Sequence, residues 1–198
     1  MESTVPCHPT AAKRCALLGK AMGVFARYGF RKASMDEIAR AAHVSRQGLY
    51  LSFNSKEELF REALSYAMDQ QLSAAIAALE RRDLPFEWRL VTACDEWAGR
   101  FVDAFGSDAL EVLCASSTLA VACLAEYERR FERALTGAIS TSGLERRCAT
   151  AGLCPADLAR ALHATARGLK HSCATREDFV KGMTAAARMF CWPLGQHR

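Results

Sequence analysis

The chain has 198 residues, 51% of them apolar, and a net charge of +4. That composition excludes a disordered chain, and without a run of 18 apolar residues it excludes a membrane-spanning helix. The charge is divided unevenly: residues 1–56 hold nine Lys or Arg against three acids, a balance of +6, while the other 142 hold 17 against 19, a balance of −2.

The spacing predicts a first helix from about Ala11 to Tyr28, with Leu17, Leu18, Ala21, Val24 and Phe25 inward and Gly29 as its stop. Ser34 with Glu37 forms a capping box, and Asp36 and Glu37 favour the positive end of the short helix that follows. Ile38, Ala39 and Ala42 give that helix its inner face. His43 falls at a turn that needs a left-handed residue, and His is one of the few non-glycine types enriched there. Val44 is expected to plug the angle between two helices, and Ser45 to cap the second. Leu49 and Phe53 turn inward from it, whereas Arg46, Gln47 and Tyr50 share a face with almost no aliphatic bulk. Ser55 and Glu58 form another capping box, opening a long amphipathic helix from Lys56 to about Leu79.

Beyond it, Pro85 opens a largely apolar helix predicted to run to Phe105, with Gly106 as its stop. A shorter segment follows at about Asp108 to Ser116, then a helix at about Leu119 to Ser140. Thr141 to Cys154 contains two glycines and no sustained period, which predicts a loop or a fraying helix end. Pro155 starts a helix ending near Lys170 or His171, and a last one spans about Arg176 to Cys191. No strand alternation is present. The fold expected is all-α, nine helices ordered three then six, divided into domains at 1–55 and 56–198.

Two short helices across a tight turn, the second with a polar and aromatic outer face, are the layout of a helix-turn-helix. The second helix of such a unit enters the DNA major groove. The positive charge gathered on residues 1–56 is what counterion-release binding to DNA requires. Arg46 and Gln47 stand near the start of this recognition helix, where Arg reads guanine and Gln reads adenine; Leu51 is placed to touch a thymine methyl. Ser34 and Ser45 cap helix starts that also suit phosphate, and Lys13 with Arg14 could form a basic arm.

The run Phe25 to Phe30, then Asp36 to Ala39, Val44-Ser45, Leu49-Tyr50, Phe53 and Ser55 to Glu57, resembles the DNA-binding domain of the TetR (tetracycline repressor) family. The resemblance covers roughly residues 11 to 66, about a third of the chain. It implies an all-α homodimer with a C-terminal ligand-binding and dimerisation domain, and a repressor released from a palindromic double-stranded DNA operator by a small molecule. It also implies that the Tyr50 hydroxyl and Lys56 meet phosphates. Two positions depart from the family pattern: His43 replaces the usual turn glycine, and Gln47-Gly48 stands where Gly-Thr is frequent. Gly48 therefore lacks a hydroxyl that often touches phosphate, which bears on operator sequence.

The last two helices are the expected dimer seam, with Leu158, Ala161, Leu162, Thr165, Ala166 and Leu169 on one face and Phe179, Val180, Met183, Ala187 and Phe190 on the other. Periodicity alone leaves an intramolecular core as the alternative. Trp88, Trp97, Phe101, Cys114, Tyr127, Phe131, His163 and Arg167 combine aromatic walls with a few polar groups and are the candidates for effector binding, pointing to an apolar or aromatic molecule. Nine cysteines, an odd number without Cys-x-x-Cys, do not fit an extracellular disulfide scaffold. A thiol- or metal-responsive regulator is the alternative function, with Cys148, Cys154 and Cys173 as its best thiols. No nucleophile elbow, phosphate loop or metalloprotease motif occurs, so neither catalysis nor a cofactor is expected. The first residues lack the apolar core of a signal peptide, so the expected location is the cytoplasm.

Overall fold

A computed structural model of the chain describes residues 9–102, 118–149 and 152–191. All regular structure among them is helical. The helices are α1 (Pro9–Lys32), α2 (Met35–Ala41), α3 (Arg46–Ser52), α4 (Lys56–Glu80) and α5 (Phe86–Trp97); a 3-10 turn (Gly99–Phe101) follows. Then come α6 (Thr118–Ser140), α7 (Leu144–Ala149), α8 (Pro155–Ser172) and α9 (Arg176–Cys191). No helix of the described residues is long and apolar enough to cross a membrane.

The chain divides into two compact units, with α4 contributing to both: residues through Asp69, with 118–121, belong to the first and the other described residues to the second. In the first unit, α1 packs on α2 and α2 on α3. Gly29, at φ 77° and ψ 156°, breaks α1 at the expected stop, so the turn at residues 30–32 is a separate helical fragment. That break folds Phe30 back beside Phe25 and Phe60, with ring centroids 5.0–6.0 Å apart. Arg14 is not a loose basic arm: its Nη2 pairs with Glu62 Oε2 at 2.6 Å, and its guanidinium lies 4.7 Å from the Phe53 ring centroid.

In the second unit, α9 packs on α5 and α8. Buried Phe179, Met183 and Ala187 on α9, with Leu158, Leu162 and Ala166 on α8, form its core. These six were assigned to the dimer seam on sequence, and the structure spends them inside the protomer. The outward small residues of the same helices are Ala161, Ala164, Gly168 and Ala185, beside Met189 at 77% exposure. Asp95 accepts from Arg176 (Oδ2–Nη2 2.5 Å) and Glu87 from Arg188 (3.0 Å), which pins α9 along α5.

Three further expectations are corrected. Helix α5 ends at Trp97 rather than running to Phe105: Ala98 leaves helical geometry at φ −131°, and Gly99 lies so close to the Phe179 ring that a Cβ would sit 2.5 Å from it. A tertiary contact thus overrides the apolar period. The predicted loop at 141–154 contains α7, held by buried Leu144, whose N–H donates to Ser142 Oγ, and bounded by Gly143 and Gly152 at positive φ. Val44 does not plug the interhelical angle: it is 37% exposed, whereas Ile38 and Leu49 are fully buried. The predicted segment Asp108 to Ser116, with Cys114, and the stretch from 103 to Gly106 lie outside the described residues.

His43 does take the left-handed conformation, at φ 55°. A side chain there costs about 1 kcal/mol, against glycine's greater loss of backbone entropy. His43→Gly is therefore expected to leave stability unchanged or to raise it by up to about 1 kcal/mol. Urea unfolding followed by circular dichroism measures it.

Candidate nucleic-acid interface and buried polar cluster

The candidate interface is framed by two capped helix starts. Ser34 Oγ accepts from the Glu37 N–H at 3.2 Å while Glu37 Oε2 accepts from the Ser34 N–H at 2.9 Å, closing the capping box on α2. These bonds hold the Glu37 carboxyl below its ordinary value. Ser45 Oγ accepts from the Gly48 N–H at 3.0 Å and caps α3. A Cβ on Gly48 would sit 3.0 Å from that hydroxyl, so a larger residue would press on the cap. Leu49, fully buried, and Phe53, the C-cap, anchor α3 from below.

The opposite face of α3 is unburied. Arg46, Gln47, Tyr50 and Leu51 are exposed, Leu51 at 82%. Arg46 is braced from α2: Nε lies 3.1 Å from Asp36 Oδ1 and Nη1 3.2 Å from Oδ2, and the guanidinium stands 5.7 Å from the Tyr50 ring centroid. Asp36 was read on sequence only as a favourable charge at the start of α2. Its ten-residue separation from Arg46, across the turn, carries no periodic signal.

Lys56, expected at a phosphate, is engaged within the first unit. Its Nζ donates to the carbonyls of Ala33 (3.1 Å) and Arg31 (3.4 Å) and lies 4.7 Å from the Phe30 ring centroid. It thereby satisfies carbonyls freed after the Gly29 break. A groove of about 570 Å³ between α1 and α2 is lined by Lys20, Arg27 and Arg40, with Glu37 and Tyr28. These three cations were not singled out on sequence, although each adds to the positive balance of the region.

The effector candidates separate into those brought together and those left outside. Trp97 and Phe131 stack with centroids 4.7 Å apart and planes 15° from parallel, and the His163 ring meets both edgewise at 6.3 and 5.6 Å. His163 Nδ1 lies 2.8 Å from Glu132 Oε1. Gln71, from α4, donates its amide to the carbonyl of Trp97. Tyr127 is buried, with Arg130 4.8 Å from its ring centroid. Phe101 is half-buried beside Arg100, Arg167 is exposed and pairs with Glu128 at 3.7 Å, and Trp88 is exposed. Sequence reasoning missed Gln71 and Glu132, because a polar residue in an amphipathic helix reads as part of the wet face.

Among the described residues no three of His, Cys, Asp or Glu come together to hold a metal ion. Burial, then the neighbouring Asp95, pushes the Cys94 thiol up to about 12, so it stays protonated. Cys173 is half-buried at the end of α8, and the side chain of Cys148 lies outside the described residues. Cys154 is exposed at the start of α8. Its thiol and its backbone N–H (3.0 Å) both donate to Asp157, and Arg160 adds a contact at 2.5 Å. Together these lower the Asp157 carboxyl to about 2 from 3.8. The lowered value means that this carboxylate stabilises the fold above the unfolded value of 3.8 and loses that contribution as pH falls toward 2. Asp157→Asn is expected to flatten the acid limb of stability in that window, as read by urea midpoints measured between pH 5 and pH 2.

The matches to known proteins follow the geometry. A family model described as "Bacterial regulatory proteins, tetR family" matches residues 17–63. The HTH-type transcriptional activator FasR of Mycolicibacterium smegmatis is 41% identical over 71 residues, 36% of this chain and 32% of that protein. The chain thus matches about a third of the length of its curated relatives. A TetR-family transcriptional regulator from Mesorhizobium loti shares the fold, with a TM-score of 0.71 over 92% of this chain and 96% of that one at 16% identity. The transcriptional regulator FadR from Bacillus subtilis, in complex with stearoyl-CoA, gives a TM-score of 0.67 over 91% and 98% at 14% identity.

Proposed function

We propose that this chain, a transcriptional regulator of the TetR family by its N-terminal domain, is a repressor that binds a palindromic operator as a homodimer and is released by a small effector. One observation carries the reading of DNA: a short capped helix buries Leu49 and leaves Arg46, Gln47, Tyr50 and Leu51 exposed. Arg46 would take guanine, Gln47 adenine and Leu51 a thymine methyl. The Tyr50 hydroxyl and the capped starts at Ser34 and Ser45 suit phosphates, with Gly48 letting the backbone approach. Lys56 would support the same surface from behind.

A two-fold reader needs paired recognition helices. The outward strip of Ala161, Ala164, Gly168, Ala185 and Met189 on α8 and α9 is the seam that would pair them, because small side chains let helices approach closely. The working division of labour is residues 1–55 for DNA and 56–198 for effector and partner. The fold is shared with a regulator that holds stearoyl-CoA, which supports an effector of apolar or aromatic character held around Trp97, Phe131 and His163. Effector binding would act by favouring a dimer with altered spacing of recognition helices, a coupling carried along α4.

Selection of bound genomic fragments by the full-length protein tests the reading. The expected outcome is a two-fold symmetric sequence whose affinity falls steeply with salt, each phosphate contact adding about 0.9 to the logarithmic slope. Recovery of fragments without a common sequence would overturn it.

A further inference from the structure

Two buried polar atoms in the second unit lack hydrogen-bond partners: Gln71 Oε1 and His163 Nε2. Gln71 is 7% exposed and His163 2%. Their chemistry can be assigned from their neighbours. The Trp97 carbonyl can only accept, so the Gln71 amide must turn its NH₂ toward it, and the remaining atom is an oxygen acceptor. With the ring neutral, its Nδ1–H donates to Glu132 and Nε2 presents a lone pair. In that tautomer both unpartnered atoms are acceptors. They flank the same aromatic residue, since Gln71 holds the backbone of Trp97 and His163 meets its ring edgewise.

We infer that Gln71 and His163 select an effector built on an aromatic or apolar framework that carries a hydrogen-bond donor, a hydroxyl or an amine. The inference rests on the effector reading above and narrows it. The Trp97–Phe131 stack supplies the apolar wall, and the two acceptors require a donor to face them. Glu132, whose second oxygen is not used by His163, adds a negative charge that favours an amine and opposes a carboxylate. A ligand that offers only acceptors, such as a carboxylate, an ether or a thioester carbonyl, would leave Gln71 Oε1 and His163 Nε2 as they are. Leaving buried polar groups unpaired is what makes such a site discriminate. Gln71 also lies on α4, so a ligand that engages it touches the helix shared by both units.

The test uses the full-length protein without DNA and matched probes on two frameworks: phenol and 2-naphthol, their methyl ethers, benzylamine and 2-naphthylmethylamine, and benzoate and 2-naphthoate. Calorimetric titration is expected to show binding of the hydroxyl or amine probes at least tenfold tighter than the ethers and carboxylates. His163→Phe keeps an aromatic ring against Trp97 and Phe131 and removes the acceptor. It is expected to erase that tenfold difference while leaving ether binding unchanged. Glu132→Gln separates the two donor classes, weakening the amines and sparing the hydroxyl probes. Ethers or carboxylates that bind as well as the donors overturn the inference, as does an absence of binding by every donor probe. If His163→Phe fails to fold by circular dichroism, the wild-type comparison of each hydroxyl with its methyl ether decides alone. Operator release is measured separately: a donor probe that binds without releasing DNA contradicts the proposed function and leaves this inference standing.

Discussion

Replacing Arg46 and Gln47 together by alanine is expected to reduce operator affinity to the level of non-specific DNA, a loss of about a thousandfold or more. Each bidentate base contact is worth about 1–3 kcal/mol of discrimination, and a dimer presents each side chain twice. The total is capped by the gap between specific and non-specific binding, about 4–10 kcal/mol, so the effect saturates there. Non-specific binding should survive, because it depends on cations elsewhere, Lys20, Arg27 and Arg40 among them. Fluorescence anisotropy on operator and scrambled duplexes at two salt concentrations gives both numbers. Asp36→Ala should behave differently. The Asp36–Arg46 pair is mostly exposed, and such pairs contribute about 0–1 kcal/mol to folding, so stability should barely change. Removing a carboxylate from the face proposed to meet phosphates should raise non-specific affinity, and freeing the guanidinium should lower discrimination at its base pair.

Phe25→Ala is expected to unfold the DNA-binding unit at moderate temperature, costing about 3–5 kcal/mol. Phe25 is fully buried, stands edgewise on Phe60 at 5.0 Å and stacks beside Phe30 at 6.0 Å. The three rings join α1 to the start of α4. Truncation leaves a cavity beside Phe30 and Phe60, next to the Gly29 turn that also positions the carbonyls bound by Lys56. A domain stability of about 5–15 kcal/mol loses a large share of itself at one position. Limited proteolysis and urea unfolding of the full chain would show it. Leu51→Ala is the contrasting variant: at 82% exposure it should leave folding unchanged and alter DNA binding only.

The first unit was readable because its signals are local. Ser34, Glu37, Ser45 and the left-handed His43 act within a few residues of themselves, so the caps and the turn could be placed from spacing alone. The bracing of Arg46 by Asp36 could not, because it depends on the angle between α2 and α3. Helix α5 shows the same limit on a larger scale. Its apolar period continues past Trp97, and what ends it is Phe179, eighty residues further along, packed on Gly99. For α8 and α9 the pattern identified apolar faces correctly but could not say whether α5 or a second subunit covers them; Phe179, Met183 and Ala187 went to the protomer core. Gln71 was hidden for another reason, and His163, a candidate on sequence, was legible only in part. Their importance lies in which of their atoms are left without a partner, and that is fixed only when the Trp97 carbonyl and Glu132 are in place.

Guanine N7 methylation interference on the selected operator tests the reading of DNA by α3 most directly, since N7 lies in the major groove where Arg46 would bind. The expected pattern is one interfering guanine in each half-site, related by the two-fold axis, and its loss in the Arg46→Ala protein. Interference that persists unchanged in that variant, or no interfering guanine in a fragment that the wild type binds specifically, would contradict it.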